Sequence, residues 1–276
     1  MPIVDSHMNV FSLNVARYPL DAGLKCDPLF APIEQARVTL GIHGVDIGVL
    51  MQPLPYLWDH SYLLDALSQY GDRFIGVAHL NPDDPSSLEE LKSFCSAGIQ
   101  GIQLYGSILG ESLSAQSTLK LCDQAASMDA VVCLQICLAH IPAVEQLASI
   151  LPEVTFIVNH DATAVSYPEG WAHILTLSQF GNVFLGLSHF SKSYPENTAA
   201  SSLSPAIARN AVDSFGADRL LWGSNFPAAL TQGGYQGALD FVRTGIPSLN
   251  DADLSALLGG TASNIWRLPS GCSEAT

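Results

Sequence analysis

The sequence predicts an α/β fold of the (β/α)8 TIM-barrel class, built as a single domain over residues 1–276. Three observations point there. Eight short apolar runs recur without polar alternation, as strands buried on both faces require. Helix-like segments separate them, several ending at a glycine just before the next run, where a helix C-cap belongs. Eight such units also fit the length of one large barrel domain.

In chain order, IVDSHM (3–8) predicts the first strand and PIEQARVTLGIHG its crossover helix. VDIGVLMQ (45–52) leads to YLLDALSQYG, RFIGVAHL (73–80) to SLEELKSFCSAG, and GIQLY (101–105) to AQSTLKLCDQAASMD. VVCLQIC (131–137) precedes IPAVEQLASILP, VTFIVNH (154–160) precedes GWAHILTLSQFG, and NVFLGLSHF (182–190) precedes PAIARNAVDSFGAD. RLLWGSNF (219–226) is the eighth strand, and DADLSALLGGTASNIWRL predicts two short helices closing the fold before a polar tail. The least regular segments, 10–32 and 190–205, follow strands one and seven and are expected as walls or lids of the barrel mouth.

Composition excludes several function classes. With 26 acidic against 11 basic residues and a formal charge of −15, the chain lacks the clustered positive charge that phosphate backbones select, so nucleic acid is not an expected partner. No run approaches a membrane span and no secretory signal is visible at Met1, which predicts a soluble cytoplasmic protein. The six cysteines form no C-x-x-C motif and fit reduced core packing. A small molecule is the expected partner. Assembly into a homo-oligomer is left open.

Barrels place their chemistry at the C-terminal ends of the strands. Those ends carry His7 with Asn9, Gln52, His79, Tyr105, Gln135, His160 with Asp161, His189, and Ser224 with Asn225. Four of the eight histidines thus converge on one mouth, whereas His43, His60, His140 and His173 fall on helices or outer loops, where structural or solvent roles are expected. Trp222 is expected in the core, and GSN around Ser224 lacks the context of a nucleophile elbow.

The combination of DSHMNV at strand one, FIVNHDA at strand six and RLLWGSNFP at strand eight resembles the amidohydrolase superfamily. It is specifically similar to the amidohydrolase-2 branch of small barrels, which includes 2-pyrone-4,6-dicarboxylate lactonases and several metal-dependent decarboxylases. The resemblance extends to GGTASNIWRL near the C-terminus. It implies that His7 stands at the first of a strand-one histidine pair, His160 at the strand-six histidine, and Asn225 where the family has a water-activating aspartate. Asn9 replaces the second histidine of the pair. Neutral amides neither offset a metal's charge nor act as general bases, so a degenerate site with no metal and no cofactor is expected.

Few arginines reach the predicted mouth; Arg17 in the first loop is the one ready candidate. The aromatic residues of the loops therefore suggest a largely neutral cyclic or aromatic substrate. His7, His160, His189 and Asn225 are expected to carry the chemistry, with Asn9, Gln52, His79, Tyr105, Asp161, Ser224 and Arg17 contacting substrate. One reading is metal-independent hydrolysis of a lactone, ester or related carbonyl, with His160 or His189 as base and asparagines polarising the carbonyl. A second is a lyase or cyclase of specialised metabolism, for which losing a water-activating aspartate is no handicap. A third is a catalytically inactive small-molecule binding protein.

Overall fold

A computed structural model describes residues 1–23, 29–160, 168–188 and 204–269, with only the backbone described at 111, 160, 168 and 169. Eight parallel strands follow one another in space as in sequence: β1 Val4–Met8, β2 Ile47–Met51, β3 Phe74–His79, β4 Ile99–Tyr105, β5 Val131–Ile136, β6 Phe156–His160, β7 Val183–Leu187 and β8 Leu220–Trp222. Each pairs with the next, as β-strands joined by right-handed helical crossovers do. The sheet closes where the chain leaves β8. There the N–H of Asn225 donates to the carbonyl of His7 at 3.0 Å, and that of Asn9 to the carbonyl of Phe226 at 2.7 Å. The (β/α)8 barrel predicted from the apolar runs is therefore the fold observed.

Alternation along the strands sorts side chains into two cores. Val49, Met51, Ile75, Val77, Val131, Cys133, Ile157 and Leu221 fill the barrel interior, which Ala262 and Trp266 close from below. Leu50, Ala78, Ile102, Leu104, Val132, Leu134, Val158 and Trp222 face outward and bury the helices. Residues such as Gln103 and Tyr105, which alternate with Ile102 and Leu104, therefore belong to the inward face of β4. Trp222 joins the outer core, edge-on to Tyr235 at 6.1 Å, as expected of it.

Helices Ile33–His43, Ser61–Tyr70, Ser87–Ser96, Gln116–Ser127, Ile141–Ile150, Pro168–Thr176 and Pro205–Phe215 match the predicted crossovers. Gly44 ends the first of them with φ 65°, its N–H returning to the carbonyls of Leu40 and Gly41. The two closing helices are Asp251–Ser255 and Thr261–Ile265. The main difference from expectation is β8, which ends at Trp222 although the apolar run continues to Phe226. Asn225 has φ 58°, a left-handed conformation that asparagine tolerates and a strand cannot continue. No helix among the described residues is long and apolar enough to cross a membrane.

Candidate active site

The mouth is organised by the seam between β1 and β8. Along β1 the register against β2 slips by one residue between Asp5 and Met8, so Asp5 pairs with Gly48 while Met8 pairs with Leu50. Asp5 is buried and faces the seam. Its Oδ1 accepts from the N–H of Ser224 at 2.8 Å and of His7 at 3.3 Å, and its Oδ2 from the Tyr235 hydroxyl at 2.8 Å. Burial raises its carboxyl to about 6, and hydrogen bonds from the Ser224 side chain, the Ser224 N–H, the Tyr235 hydroxyl and the His7 N–H partly oppose the rise. Burial also pushes the Tyr235 phenol well above its usual value, and the Asp5 charge adds to this, so the hydroxyl stays a donor.

Gly223 makes the seam possible. A Cβ there would lie 2.5 Å from the His7 Cβ and 3.0 Å from its backbone nitrogen. With hydrogen in that place, β8 approaches closely enough for Asn225 to bond the His7 carbonyl. His7, which keeps the family histidine, and Asn225, which departs from the family aspartate, are therefore brought together by backbone hydrogen bonding. Ser224 is drawn into the Asp5 network, and its Oγ accepts from the N–H of Phe226 at 2.9 Å.

Across the mouth, His79 ends β3 inside an aromatic frame. Its ring stacks on Trp58 with centroids 4.2 Å apart and meets Tyr105 edge-on at 4.8 Å. The side chain is wholly buried, and its ring nitrogens make no well-formed hydrogen bond among the described residues beyond a weak contact with the Leu57 backbone. Burial, with a smaller contribution from His60 and weak opposition from a Leu57 backbone hydrogen bond, lowers its pKa to about 3. His79 is thus a neutral imidazole. His60, itself buried, accepts the N–H of His79 at 3.0 Å and fixes the strand end, a structural role. Beside it, the Gln103 side chain hydrogen-bonds the Tyr105 hydroxyl, which burial keeps protonated, while Gln103 Oε1 has no partner among the described residues.

Other expected residues fall in different places. Gln52 holds the loop that carries Trp58, its amide donating to the carbonyl of Asp59 at 2.8 Å. Arg17 forms a 2.6 Å ion pair with Asp65 and lies over the Tyr18 ring, at the first loop. Asn9 is half-buried beside the closing hydrogen bonds. Asp161, His189 and the His160 side chain lie outside the described residues, as does most of the 190–205 segment. Arg73 and Arg219 donate to backbone carbonyls where their strands begin, away from the mouth.

Three polar residues escaped the sequence reading. Asp5 stands inside the motif, but its destination depends on the one-residue slip in β1. Gln103 and Asn159 were legible by period: each is a buried polar residue inside an apolar strand, aligned with the interior face. Whether the residues suit a metal ion is a matter of their donor chemistry. Among the described residues, no group of three or more His, Cys, Asp or Glu side chains is placed to hold one. Among the described residues, the Asp5 carboxylate is committed to the seam, and Asn9 and Asn225 offer only neutral oxygens. The described donors do not fit a catalytic metal.

The chain is 24% identical over 263 residues to a 4-sulfomuconolactone hydrolase from Hydrogenophaga intermedia, spanning 92% of this chain and 80% of that relative. It superposes with a TM-score of 0.75 and 26% identity on a candidate 2-pyrone-4,6-dicarboxylic acid hydrolase from Pseudomonas putida, over 96% of this chain and 97% of the other. An amidohydrolase from Burkholderia multivorans crystallised with bound zinc shares the fold, with a TM-score of 0.77 at 19% identity over 98% of this chain and all of the other (100%). The amidohydrolase family model matches residues 4–268, and the chain belongs to the amidohydrolase superfamily, in its amidohydrolase-2 branch.

Proposed function

We propose that the protein is an enzyme that hydrolyses a lactone, ester or related carbonyl of a largely neutral cyclic or aromatic small molecule, without a metal ion. The observation that carries this reading is the frame around His79. A neutral imidazole whose nitrogens lack a well-formed hydrogen bond, stacked on Trp58 and edged by Tyr105, offers flat aromatic surface together with buried hydrogen-bonding atoms. Buried polar atoms are nearly always satisfied in folded proteins, so His79 and Gln103 Oε1 mark where a substrate's polar groups belong. Supporting the hydrolytic class are the sulfomuconolactone hydrolase and pyrone dicarboxylic acid hydrolase relatives. Arg17 is committed to Asp65, which favours a substrate with less anionic charge than a dicarboxylate.

His79 is too weakly basic to take a proton from water, and serves to orient the ring and its oxygen. The protonated Tyr105 hydroxyl exchanges its long 3.4 Å bond to the Gln52 carbonyl for one to the substrate's carbonyl oxygen. His7, held beside Asn225, faces the attack, with His160 or His189 as base and the asparagines polarising the carbonyl. A histidine takes a proton from the nucleophile, the tetrahedral oxyanion gathers these donors, and the leaving oxygen recovers the proton. Asn9 completes the donor set on the β1 side.

A second reading, a lyase or cyclase, is favoured by Asn225 itself, since a reaction that consumes no water needs no carboxylate base there. A panel of neutral lactones and aryl esters turned over in oxygen-18 water tests the choice. Hydrolysis places solvent oxygen in the product acid. Conversion with no label in any product would replace it with the second reading, and tight binding without conversion of any compound would make the protein a binder.

A further inference from the structure

At the end of β5 lies a pair of reactive side chains that the strand-end histidines do not include. Cys137 follows Ile136 with φ −106° and ψ 176°, so the strand's extended alternation continues through it. Val131 and Cys133 face the barrel interior on that alternation, which places Cys137 on the mouth side of the C-terminal rim. Its Sγ lies 3.2 Å from Nδ1 of His140. The backbone N–H of Cys137 donates to the same Nδ1, also at 3.2 Å, which fixes that nitrogen as an acceptor and puts the imidazole proton on Nε2. The single lone pair of Nδ1 is shared between the Cys137 N–H and the thiol, both 3.2 Å away, within the capping box of the short turn Leu138–His140.

Two further contacts position the ring. It packs over Gly106, directly after Tyr105, where a Cβ would come within 2.7 Å of Nδ1. It also lines an open groove of about 640 Å³ with Gly110, Ser114 and Gln146, so the imidazole communicates with solvent. Neither Cys137 nor His140 is fully buried.

We propose that Cys137 is an acyl-accepting nucleophile and His140 its general base, a thiol–imidazole site on the barrel rim for an activated ester or lactone carbonyl. This rests on the carbonyl-substrate reading above and puts a thiol in place of histidine-activated water as the first nucleophile. The Cys137 N–H releases His140 Nδ1, the thiol proton moves to that nitrogen, sulfur adds to the acyl carbon, and the carbonyl π electrons move to oxygen. The oxyanion collapses, the acyl C–O bond breaks, and the leaving alkoxide takes the proton from His140, giving a thioester. His140 then takes a proton from water, the hydroxide adds to the thioester, the C–S bond breaks, and the thiolate recovers the proton. One water is consumed and the enzyme is restored.

The test uses p-nitrophenyl acetate as probe, with nitrophenolate release, intact mass and peptide mapping as readouts. The full-length protein is expected to give a burst near one equivalent with the acetyl group on Cys137. The burst is lost in Cys137→Ala and slowed about 100-fold in His140→Gln, the scale of general-base assistance. In case the histidine variant misfolds, iodoacetamide competition in the unaltered protein offers an independent measure. Cys137 is expected to alkylate at least about tenfold faster than Cys95, whose thiol burial pushes up and which has no histidine partner. Acetylation confined to lysines, wild-type acylation rates in folded His140→Gln, or equal alkylation of the two cysteines would overturn the proposal. Acetylation of Cys137 with no turnover of any lactone refutes the hydrolase reading and leaves the thiol site standing. Lactone turnover undiminished in Cys137→Ala does the reverse.

Discussion

Tyr235 donates its hydroxyl to Oδ2 of Asp5 at 2.8 Å, joining two residues 230 positions apart across the seam that closes the barrel. This contact ties the first strand to the chain beyond the last, immediately beneath His7 and Asn225. Tyr235→Phe removes one donor from a buried carboxylate and is expected to cost about 1–3 kcal/mol at neutral pH. Urea unfolding of the two proteins measures it.

The same carboxylate gives a pH signature. Its pKa is raised from 3.8 to about 6 on folding, so the folded state holds the proton more tightly than the unfolded chain. Its favourable contribution is complete below 3.8 and is lost as pH rises through about 6. Asp5→Asn removes this term. The stability of the variant relative to the parent should therefore increase from pH 3.8 to about 6 and then level off, as followed by urea midpoints across that window. A flat difference would show that Asp5 titrates alike in both states.

His79 has the opposite sign. Its pKa falls from 6.5 to about 3 on folding, so its neutral form supports stability above 6.5, and that support is lost as pH falls toward 3. His79→Phe keeps the aromatic stack on Trp58 and removes two buried nitrogens. It is expected to flatten the acid limb of the thermal stability profile and to raise the neutral-pH midpoint, the stability gain that often accompanies loss of a functional group. Substrate KM should rise at least about tenfold, the equivalent of one good hydrogen bond.

Gly223→Ala tests the close approach of β8 to His7. The added Cβ meets backbone and Cβ atoms of His7 rather than a flexible side-chain tip, so β1 and β8 must separate. Overpacking of this kind costs about 1–3 kcal/mol. Because the shift carries His7 with it, kcat should fall more than KM changes in steady-state assays of the folded variant.

Continuous apolar runs made the barrel legible, since only strands covered on both faces need them, and all eight predicted strands are present. Strand-end position likewise brought His7, His79, Tyr105 and Asn225 into view. Other parts of the site depend on geometry that a period cannot carry. The slip in β1 decides that Asp5 serves the seam, and β8 ends at Trp222, three residues before the left-handed Asn225. His140 reads as an outer-loop histidine until the short helical turn at Leu138–His140 folds it back onto Cys137.

Metal dependence tests the central reading most directly. The protein should be exhaustively chelated, its metal content fixed by elemental analysis, and its turnover of a neutral lactone compared before and after adding zinc or manganese. Metal-free hydrolysis predicts full activity in the chelated protein, less than one-tenth of an equivalent of metal per chain on the order-of-magnitude scale set by stoichiometric catalytic sites, and no gain on addition. Activity that disappears on chelation and returns with one equivalent of metal per chain would contradict it.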